Sequence, residues 1–289
     1  MSFLTKQELP IGIFDSGVGG LSVLRTLKKA LPYEHFLYLG DTARLPYGTK
    51  SAETVRSYAL NANEELVSRG VKALVVACNT ATAVALEVLQ EKFYPLPVIG
   101  VIEPGVAASL KVMGSGPIIV LATEGTVKWH AYRKILAQLA KEREIIEWPC
   151  SLLVALAEEG WCEGVLVEQI IAKVLEPLFA STIYQSPACI VLGCTHFPVF
   201  KEVIQKVVGP IPIIDPAYTV AEWVISTLDE QNLLRKETTV GSTHFMATDG
   251  IDRFTKVAKV FLDYSISDQQ VELISLFSGI KSEIQIKSA

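Results

Sequence analysis

The stretch ALVVACNTAT, residues 73–82, places an apolar run directly before a cysteine and several polar residues. Residues 73–77 have the length and composition of a buried strand, and residues 80–93 follow with a helical pattern. Cys78 and Asn79 therefore fall where a strand passes into a helix. In open α/β sheets, ligands bind in loops at the carboxyl ends of parallel strands. The stretch thus predicts an α/β fold with Cys78 at a binding site.

A second stretch, CIVLGCTHFP at residues 189–198, repeats this pattern. Aligning the two stretches superimposes Cys194 on Cys78 and indicates a weak internal duplication. If two lobes face each other, the two thiols lie on opposite sides of one cleft. A helix N-terminus favours a thiolate through its free N–H groups and dipole, which prepares a cysteine for acid/base or nucleophilic chemistry. The more common role of a free cysteine, an inert core residue, fits Cys150, Cys162 and Cys189.

Strand and helix patterns alternate along most of the remaining chain. Two helices are predicted at residues 21–31 and 53–69, the second with Ser51 as its N-cap and Gly70 as its stop. The other predicted strands are residues 11–14, 36–39, 98–101, 118–122, 145–148, 190–192 and 213–214. Their continuous apolar runs are typical of parallel sheets buried on both faces. The alternation predicts a doubly wound α/β architecture with mainly parallel sheets and right-handed crossovers.

Length and composition restrict the classes of function. The 289 residues are enough for two lobes, and half of them are hydrophobic. The net charge of −5 gives no general attraction to nucleic acid or to an anionic membrane surface, so neither is an expected partner. No apolar run has the length of a membrane span, and the N-terminus has no secretory pattern. A cytoplasmic protein with five free thiols is expected.

Two further strand ends carry polar residues. FDSGVGG (14–20) places Asp15 and Ser16 after the first strand, and GDTARLPYG (40–48) offers Thr42 and Tyr47 after the second. Neither the glycine pattern of dinucleotide-binding folds nor a phosphate-binding lysine loop is present, which argues against a nucleotide site. His196 lies two residues after Cys194, where it can act as its proton partner.

Six motifs, in this order, resemble those of glutamate racemases within the cofactor-independent amino-acid racemases: DSGVGG, GDTARLPYG, ACNTATA, VIEPG, TEGTV and LGCTHFP. They cover residues 11–217, and HFMATDGIDRF (244–254) resembles the C-terminal segment of that family. The tail 278–289 has no recognised counterpart. The resemblance implies two α/β lobes related by a pseudo-two-fold axis, with L- or D-glutamate bound in the cleft and no cofactor or metal. The lobes would comprise residues 1–101 with 215–289, and residues 102–214.

The resemblance also implies a role for individual residues. Cys78 and Cys194 would be the two acid/base thiols, with Asp15 assisting Cys78 and His196 assisting Cys194. The matching substrate-binding residues are Asp15, Ser16, Tyr47, Gly48, Asn79, Thr80, Thr123, Thr195 and His196.

Two segments depart from the family pattern. In CSLLVALAEEG (150–160), Glu158 matches a third assisting carboxylate, but Ser151 and Ala155 replace prolines. Both an assisting carboxylate and an exposed glutamate at a helix end are compatible with this segment. In TEGTVKWHAY (123–132), Trp129 and His130 replace smaller residues, which predicts a changed site edge or interface.

The expected activity is cofactor-independent racemisation of glutamate, supplying D-glutamate for peptidoglycan. An aspartate or hydantoin racemase of the same superfamily is the alternative that keeps both cysteines. A two-lobed protein that only binds an acidic metabolite is a second alternative. A metal site made by Cys78, Cys194 and His196 is a third, for which the C-x-H spacing is a poor signature. A homodimer is left open as the assembly.

Overall fold

Two parallel sheets organise the chain in the computed structural model, which describes residues 5–114, 116–139, 143–180 and 187–276. Residues 1–4 and 277–289, which belong to the expected first lobe, lie outside the described residues. The strands are β1 (Ile11–Asp15), β2 (Phe36–Gly40), β3 (Ala73–Val76), β4 (Val98–Gly100), β5 (Ile118–Ala122), β6 (Ile145–Pro149), β7 (Cys189–Gly193), β8 (Ile213–Ile214), β9 (Thr243–Ala247) and β10 (Val271–Leu273).

Eleven α-helices accompany these strands in the part of the chain that the structure describes. They are α1 (Leu21–Ala30), α2 (Ala52–Ser68), α3 (Asn79–Phe93), α4 (Ile102–Leu110), α5 (Glu124–Lys128), α6 (Ala131–Leu139), α7 (Ser151–Glu158), α8 (Val165–Ala180), α9 (Lys201–Val208), α10 (Ala217–Glu230) and α11 (Ile251–Leu262). As predicted, α2 is capped by Ser51, whose hydroxyl accepts a hydrogen bond from the Thr54 N–H at 3.2 Å. None of the helices in the described ranges combines the length and the apolar composition of a membrane span.

The strand order repeats between the two sheets. The first sheet runs β10-β9-β2-β1-β3-β4 and the second β6-β5-β7-β8, and the strand pairs in both are parallel. The second order matches β2-β1-β3-β4 of the first, so β3 and β7 occupy equivalent positions. Cys78 and Cys194 follow these two strands. The predicted doubly wound α/β fold with a repeated lobe is therefore confirmed.

Both faces of each sheet are covered by helices, because alternate residues of a strand point to opposite faces. In the first sheet, Ile11 and Ile13 pack in the same core cluster as α1, α10 and α11, whereas Phe14 packs with α2 and α3. In the second sheet, Ile119 shares a cluster with α7, α8 and α9, and Ile118 shares one with α4 and α6. Strands buried on both faces explain the continuous apolar runs in the sequence.

The two lobes share one continuous core cluster that contains residues of both sheets. Helix α10 contributes to this continuity, because it packs against α1 of the first lobe and α4 at the start of the second. The cleft between the lobes is thus supported by packed side chains behind it. The boundaries at residues 101 and 214 stay a prediction.

The sequence patterns did not identify β9 and β10. Their residues, THFMA and VEL, mix polar and apolar side chains, and β10 has only three residues at the edge of the sheet. β9 is an interior strand between β10 and β2, but neither strand has a clear apolar run or alternation, so pairing with neighbouring strands defines them.

Candidate active site

A cavity of about 310 Å³ lies between the two lobes at the carboxyl ends of their strands. Among the predicted site residues, the first lobe contributes Ser16, Tyr47, Gly48, Cys78, Asn79 and Thr80 to its lining, and the second contributes Thr123, Glu158, Cys194, Thr195 and His196. The fold therefore brings these residues together in one place. The remaining predicted residue, Asp15, is fully buried behind this wall.

Cys78 is the N-cap residue of α3. Its Sγ accepts a hydrogen bond from the Ala81 N–H at 3.5 Å and donates one to Ser16 Oγ at 3.5 Å. Burial raises the pKa of Cys78 to about 12, and the charge of Asp15 acts in the same direction, although the contacts with Ser16 and Ala81 oppose it. The thiol form is therefore favoured here, and the helix N-terminus supplies donors for a thiolate when one forms.

Cys194 is supported by an imidazole. His196 Nδ1 lies 3.8 Å from Cys194 Sγ, and His196 Nε2 lies 2.8 Å from Glu158 Oε1. Burial lowers the pKa of His196, but hydrogen bonds and charges from Cys194 and Glu158 outweigh burial and raise it to about 10. A protonated imidazole at this position stabilises negative charge on Cys194 Sγ.

Glu158 is buried, with only 8% of its surface exposed. It ends α7, and its carboxylate contacts Nε2 of the His196 ring. The Phe261 ring lies nearly perpendicular to the imidazole, with 5.5 Å between the ring centroids. The alternative of an exposed glutamate at a helix end is therefore wrong. The altered residues Ser151 and Ala155 still leave α7 in place to carry Glu158 into the cleft.

The contacts of His196 with Cys194 and Glu158 predict a pH dependence of stability. The folded state binds a proton on His196 more tightly than the unfolded chain, whose histidine pKa is about 6.5. The stabilisation is thus complete below about pH 6.5 and is lost as pH rises through about 10. We expect the difference in unfolding free energy between the unmodified chain and His196→Asn, measured by urea denaturation, to shrink across this window. A difference that grows with pH would contradict the assignment.

Asp15 ends β1 and connects the two lobes from behind the cavity wall. Its carboxylate accepts hydrogen bonds from the Gly17 N–H at 3.0 Å and from Thr195 Oγ1 at 3.3 Å. Burial raises the pKa of Asp15, while the positive charge of His196 acts against this shift. The charge of Asp15 therefore contributes to the raised pKa of Cys78, and its hydrogen bond holds the Thr195 side chain in the cavity lining.

A group of hydroxyls and one amide lines the cavity where the lobes meet. Thr80 Oγ1 and Thr123 Oγ1 lie 2.9 Å apart, and one of them donates to the other. The Tyr132 hydroxyl donates to Asn79 Oδ1 at 2.7 Å. Because the Asn79 oxygen is occupied, its NH₂ group is the part that can donate to a ligand. These groups form a neutral set of donors suited to a carboxylate.

Tyr47 and Gly48 belong to the loop after β2. The Tyr47 hydroxyl donates to Asp41, which fixes the ring in the core, and the backbone of Gly48 faces Thr123 across the cleft. A Cβ on residue 48 would lie 2.7 Å from the Thr123 Cβ. Glycine is needed here because the two lobes approach so closely.

Gly19 has a similar constraint beside the second thiol. A Cβ at this position would lie 2.5 Å from Thr195 Oγ1 and 2.6 Å from His196 Nδ1. We expect Gly19→Ala to displace both side chains by about 1 Å and to reduce kcat/KM about 10²-fold, because acid/base geometry tolerates little displacement. Steady-state kinetics with a thermal unfolding control tests this expectation. Unchanged kcat/KM would show that His196 need not hold its observed position.

Several cavity residues were not identified from the sequence. They are Gly17, Leu45, Pro46, Thr49, Ser151, Val154, Ala155, Glu159 and Arg253. Arg253 is the informative case, since it falls in the segment HFMATDGIDRF that already carried the resemblance. By contrast, Trp129 and His130 are not part of the lining. Trp129 packs on the core cluster of α2 and α3, and His130 Nδ1 lies 3.0 Å from Glu147.

Among the residues that the structure describes, no three His, Cys, Asp or Glu side chains lie close enough together to hold a metal ion. The two nitrogens of His196 instead contact Cys194 and Glu158. The arrangement is that of two thiols, one from each lobe and each with its own support, lining one small cavity.

Comparison with known proteins gives consistent results. The sequence profile described as Asp/Glu/Hydantoin racemase matches residues 11–223. A glutamate racemase from Geobacter metallireducens is 43% identical over 259 residues, covering 89% of this chain and 94% of the relative. The crystal structure of a glutamate racemase from Francisella tularensis in complex with D-glutamate superposes with a TM-score of 0.86 at 35% identity, covering 94% of this chain and all of that one. A glutamate racemase structure from Bacillus anthracis also gives a TM-score of 0.86 at 35% identity, covering 93% of this chain and 98% of that one.

Proposed function

The chain belongs to the Asp/Glu/hydantoin racemase family, and we propose that it interconverts L- and D-glutamate through the thiols of Cys78 and Cys194. The observation that carries this proposal is that the two cysteines follow equivalent strands of the two sheets and both line one cavity. Inversion at a carbon centre requires a base on one face and an acid on the other. Two thiols on opposite sides of a cleft supply both.

In each direction, one cysteine acts as thiolate and removes the α-proton of the bound amino acid. The other acts as thiol and delivers its proton to the opposite face of the carbanion. The reaction leaves the first cysteine protonated and the second ionised, so the reverse reaction starts from the product state. General acid and base catalysis works best when the pKa of each group lies near the working pH. Neighbouring residues must therefore adjust each thiol.

The two thiols have different supports. Cys78 has a helix N-terminus, Ser16 and the charge of Asp15, whereas Cys194 has the His196 imidazole backed by Glu158. The Asp15 charge favours the protonated form of Cys78. The His196 imidazole beside Cys194 Sγ supplies a proton donor on the opposite lobe.

The carbanion formed at the α-carbon needs stabilisation of its negative charge. Preorganised donors serve this purpose because they need no reorientation during the reaction. The proposed donors to the α-carboxylate are Ser16, Asn79, Thr80, Thr123 and Thr195, and all of them line the cavity. Tyr47, Gly48 and His196 complete the proposed substrate-binding set in the lining, with Asp15 acting from behind it.

Incubation of the purified protein with L-glutamate, without added pyridoxal phosphate, tests the proposal. Chiral chromatography should show D-glutamate and an approach to equal amounts of both enantiomers. A parallel incubation with L-aspartate should show little turnover. Turnover of aspartate alone would instead support the sister racemase. Glutamate binding in calorimetry without any turnover would support a binding protein.

We also propose the physiological setting that the resemblance implies. D-Glutamate would be supplied for peptidoglycan, and the reaction would take place in the cytoplasm, in keeping with cysteines that remain free thiols. Depletion of the protein in a bacterial host that carries it should be rescued by external D-glutamate. Sedimentation equilibrium tests the homodimer, for which the mass must be twice that of one chain.

A further inference from the structure

Arg253 is the only arginine or lysine that lines the cleft cavity among the residues that the structure describes. It lies in the first turn of α11, on the first lobe. Its Nη2 donates to the Glu158 carbonyl oxygen at 3.3 Å and to Glu159 Oε1 at 2.9 Å. Both acceptors lie at the end of α7, on the second lobe. The Arg253–Glu159 pair therefore joins the two lobes at the edge of the cavity.

This ion pair is exposed. The side chains of Arg253 and Glu159 are 56% and 60% accessible. Arg253 also lines two neighbouring surface cavities that it shares with Glu158, so it lies between the cleft and the solvent. The other charged groups lining those cavities are Glu159, Asp249, Asp252 and Lys256. Because exposed ion pairs contribute little to stability, Arg253 can leave Glu159 at small cost.

A dicarboxylic amino acid carries a second carboxylate, for which a cation is a stronger partner than a neutral donor, and the other basic side chain of the cleft is already engaged. His196 is held between Glu158 and Cys194. The threonine and asparagine side chains of the lining are neutral donors. A guanidinium binds a carboxylate through two parallel N–H groups, which gives it an advantage over neutral donors for this ligand.

We propose that Arg253 captures a carboxylate of the incoming substrate at the mouth of the cleft, exchanging Glu159 for it. This inference rests on the proposed function, because it assigns the residue that recognises the acidic substrate. Glu159 is then a competitor that occupies Arg253 when the substrate is absent. The two side chains should have opposite effects on substrate affinity.

Kinetic analysis of three variants tests the exchange. Arg253→Met should raise KM for glutamate about tenfold, the loss expected for one hydrogen-bonded charge pair, with kcat changed less than about twofold. Glu159→Gln should lower KM, because Arg253 is released. Lys256→Met is the matched control, since Lys256 lies on the same helix and lines only a neighbouring cavity. Its KM should equal that of the unmodified chain.

Salt dependence separates substrate capture from a purely structural role. Added salt screens exposed charges, so kcat/KM should fall with ionic strength in the unmodified chain and less steeply in Arg253→Met. Isothermal titration of L-glutamate into both proteins gives the same comparison without turnover, so the inference can be tested even if racemisation is absent. An unchanged KM, affinity and salt dependence in Arg253→Met would overturn it. So would an equal change in Lys256→Met.

Discussion

Replacing Cys78 or Cys194 by serine should reduce racemisation in both directions by about 10⁴-fold, the upper range for loss of a general acid or base. A hydroxyl is a much weaker acid than a thiol, so serine cannot share the proton transfers at neutral pH. Both side chains are buried and differ from serine by one atom, so the fold should be retained. Steady-state kinetics from each enantiomer, with thermal unfolding of each variant, measures both effects.

Cys162→Ser is the matched control for these variants. Cys162 is only partly buried and does not line the cavity, so its replacement should leave kcat unchanged. Each active-site variant should still exchange the α-proton of one enantiomer with solvent through its remaining thiol. The two variants should act on opposite enantiomers. Full racemase activity in either variant would eliminate the two-thiol mechanism.

The second large effect is expected at His196. His196→Asn should reduce kcat about 10³-fold, because Cys194 loses the positive charge that stabilises its thiolate. Glu158→Gln should have a smaller effect, about tenfold, since the imidazole stays near the thiol but loses the charge that holds its proton. KM should change much less than kcat in both variants. Stopped assays with L-glutamate at saturating concentration measure kcat directly.

The comparison of the kcat losses in His196→Asn and Glu158→Gln shows which side chain takes part in proton transfer. If Glu158→Gln were as damaging as His196→Asn, Glu158 would have a direct role in proton transfer. If His196→Asn kept the kcat of the unmodified chain, Cys194 would not depend on its imidazole. Phe261 offers a control, because Phe261→Leu changes the apolar contact with the His196 ring without removing either hydrogen bond.

The positions of the two cysteines could be predicted because local sequence determines them. A strand followed by polar residues places Cys78 and Cys194 at the carboxyl ends of parallel strands, and the strand order of the sheets brings those ends together. The first step needs only local sequence, whereas the second depends on pairing between strands more than 60 residues apart, which the alternation of strands and helices predicts only as a fold class. The duplication of the pattern was readable before the fold was known.

The surroundings of the thiols depend on tertiary packing and could not be predicted in the same way. Glu158 and His196 are separated by 38 residues, and their contact requires α7 to pack beside the strand end of β7. Arg253 and Glu159 are separated by 94 residues and lie on different lobes. No local pattern encodes such pairs. The segment 244–254 resembled the family, but the resemblance alone did not place Arg253 on the cavity.

Deuterium labelling at early reaction times tests the two-thiol mechanism most directly. The protein is incubated with L-glutamate in heavy water, and both enantiomers are recovered before a tenth of the substrate has reacted. The mechanism predicts D-glutamate with deuterium at the α-carbon, because the second thiol carries a solvent-derived deuteron. It also predicts that the recovered L-glutamate keeps its α-proton. Equal labelling of both enantiomers, or D-glutamate without deuterium, would show that one base serves both faces and would contradict the account.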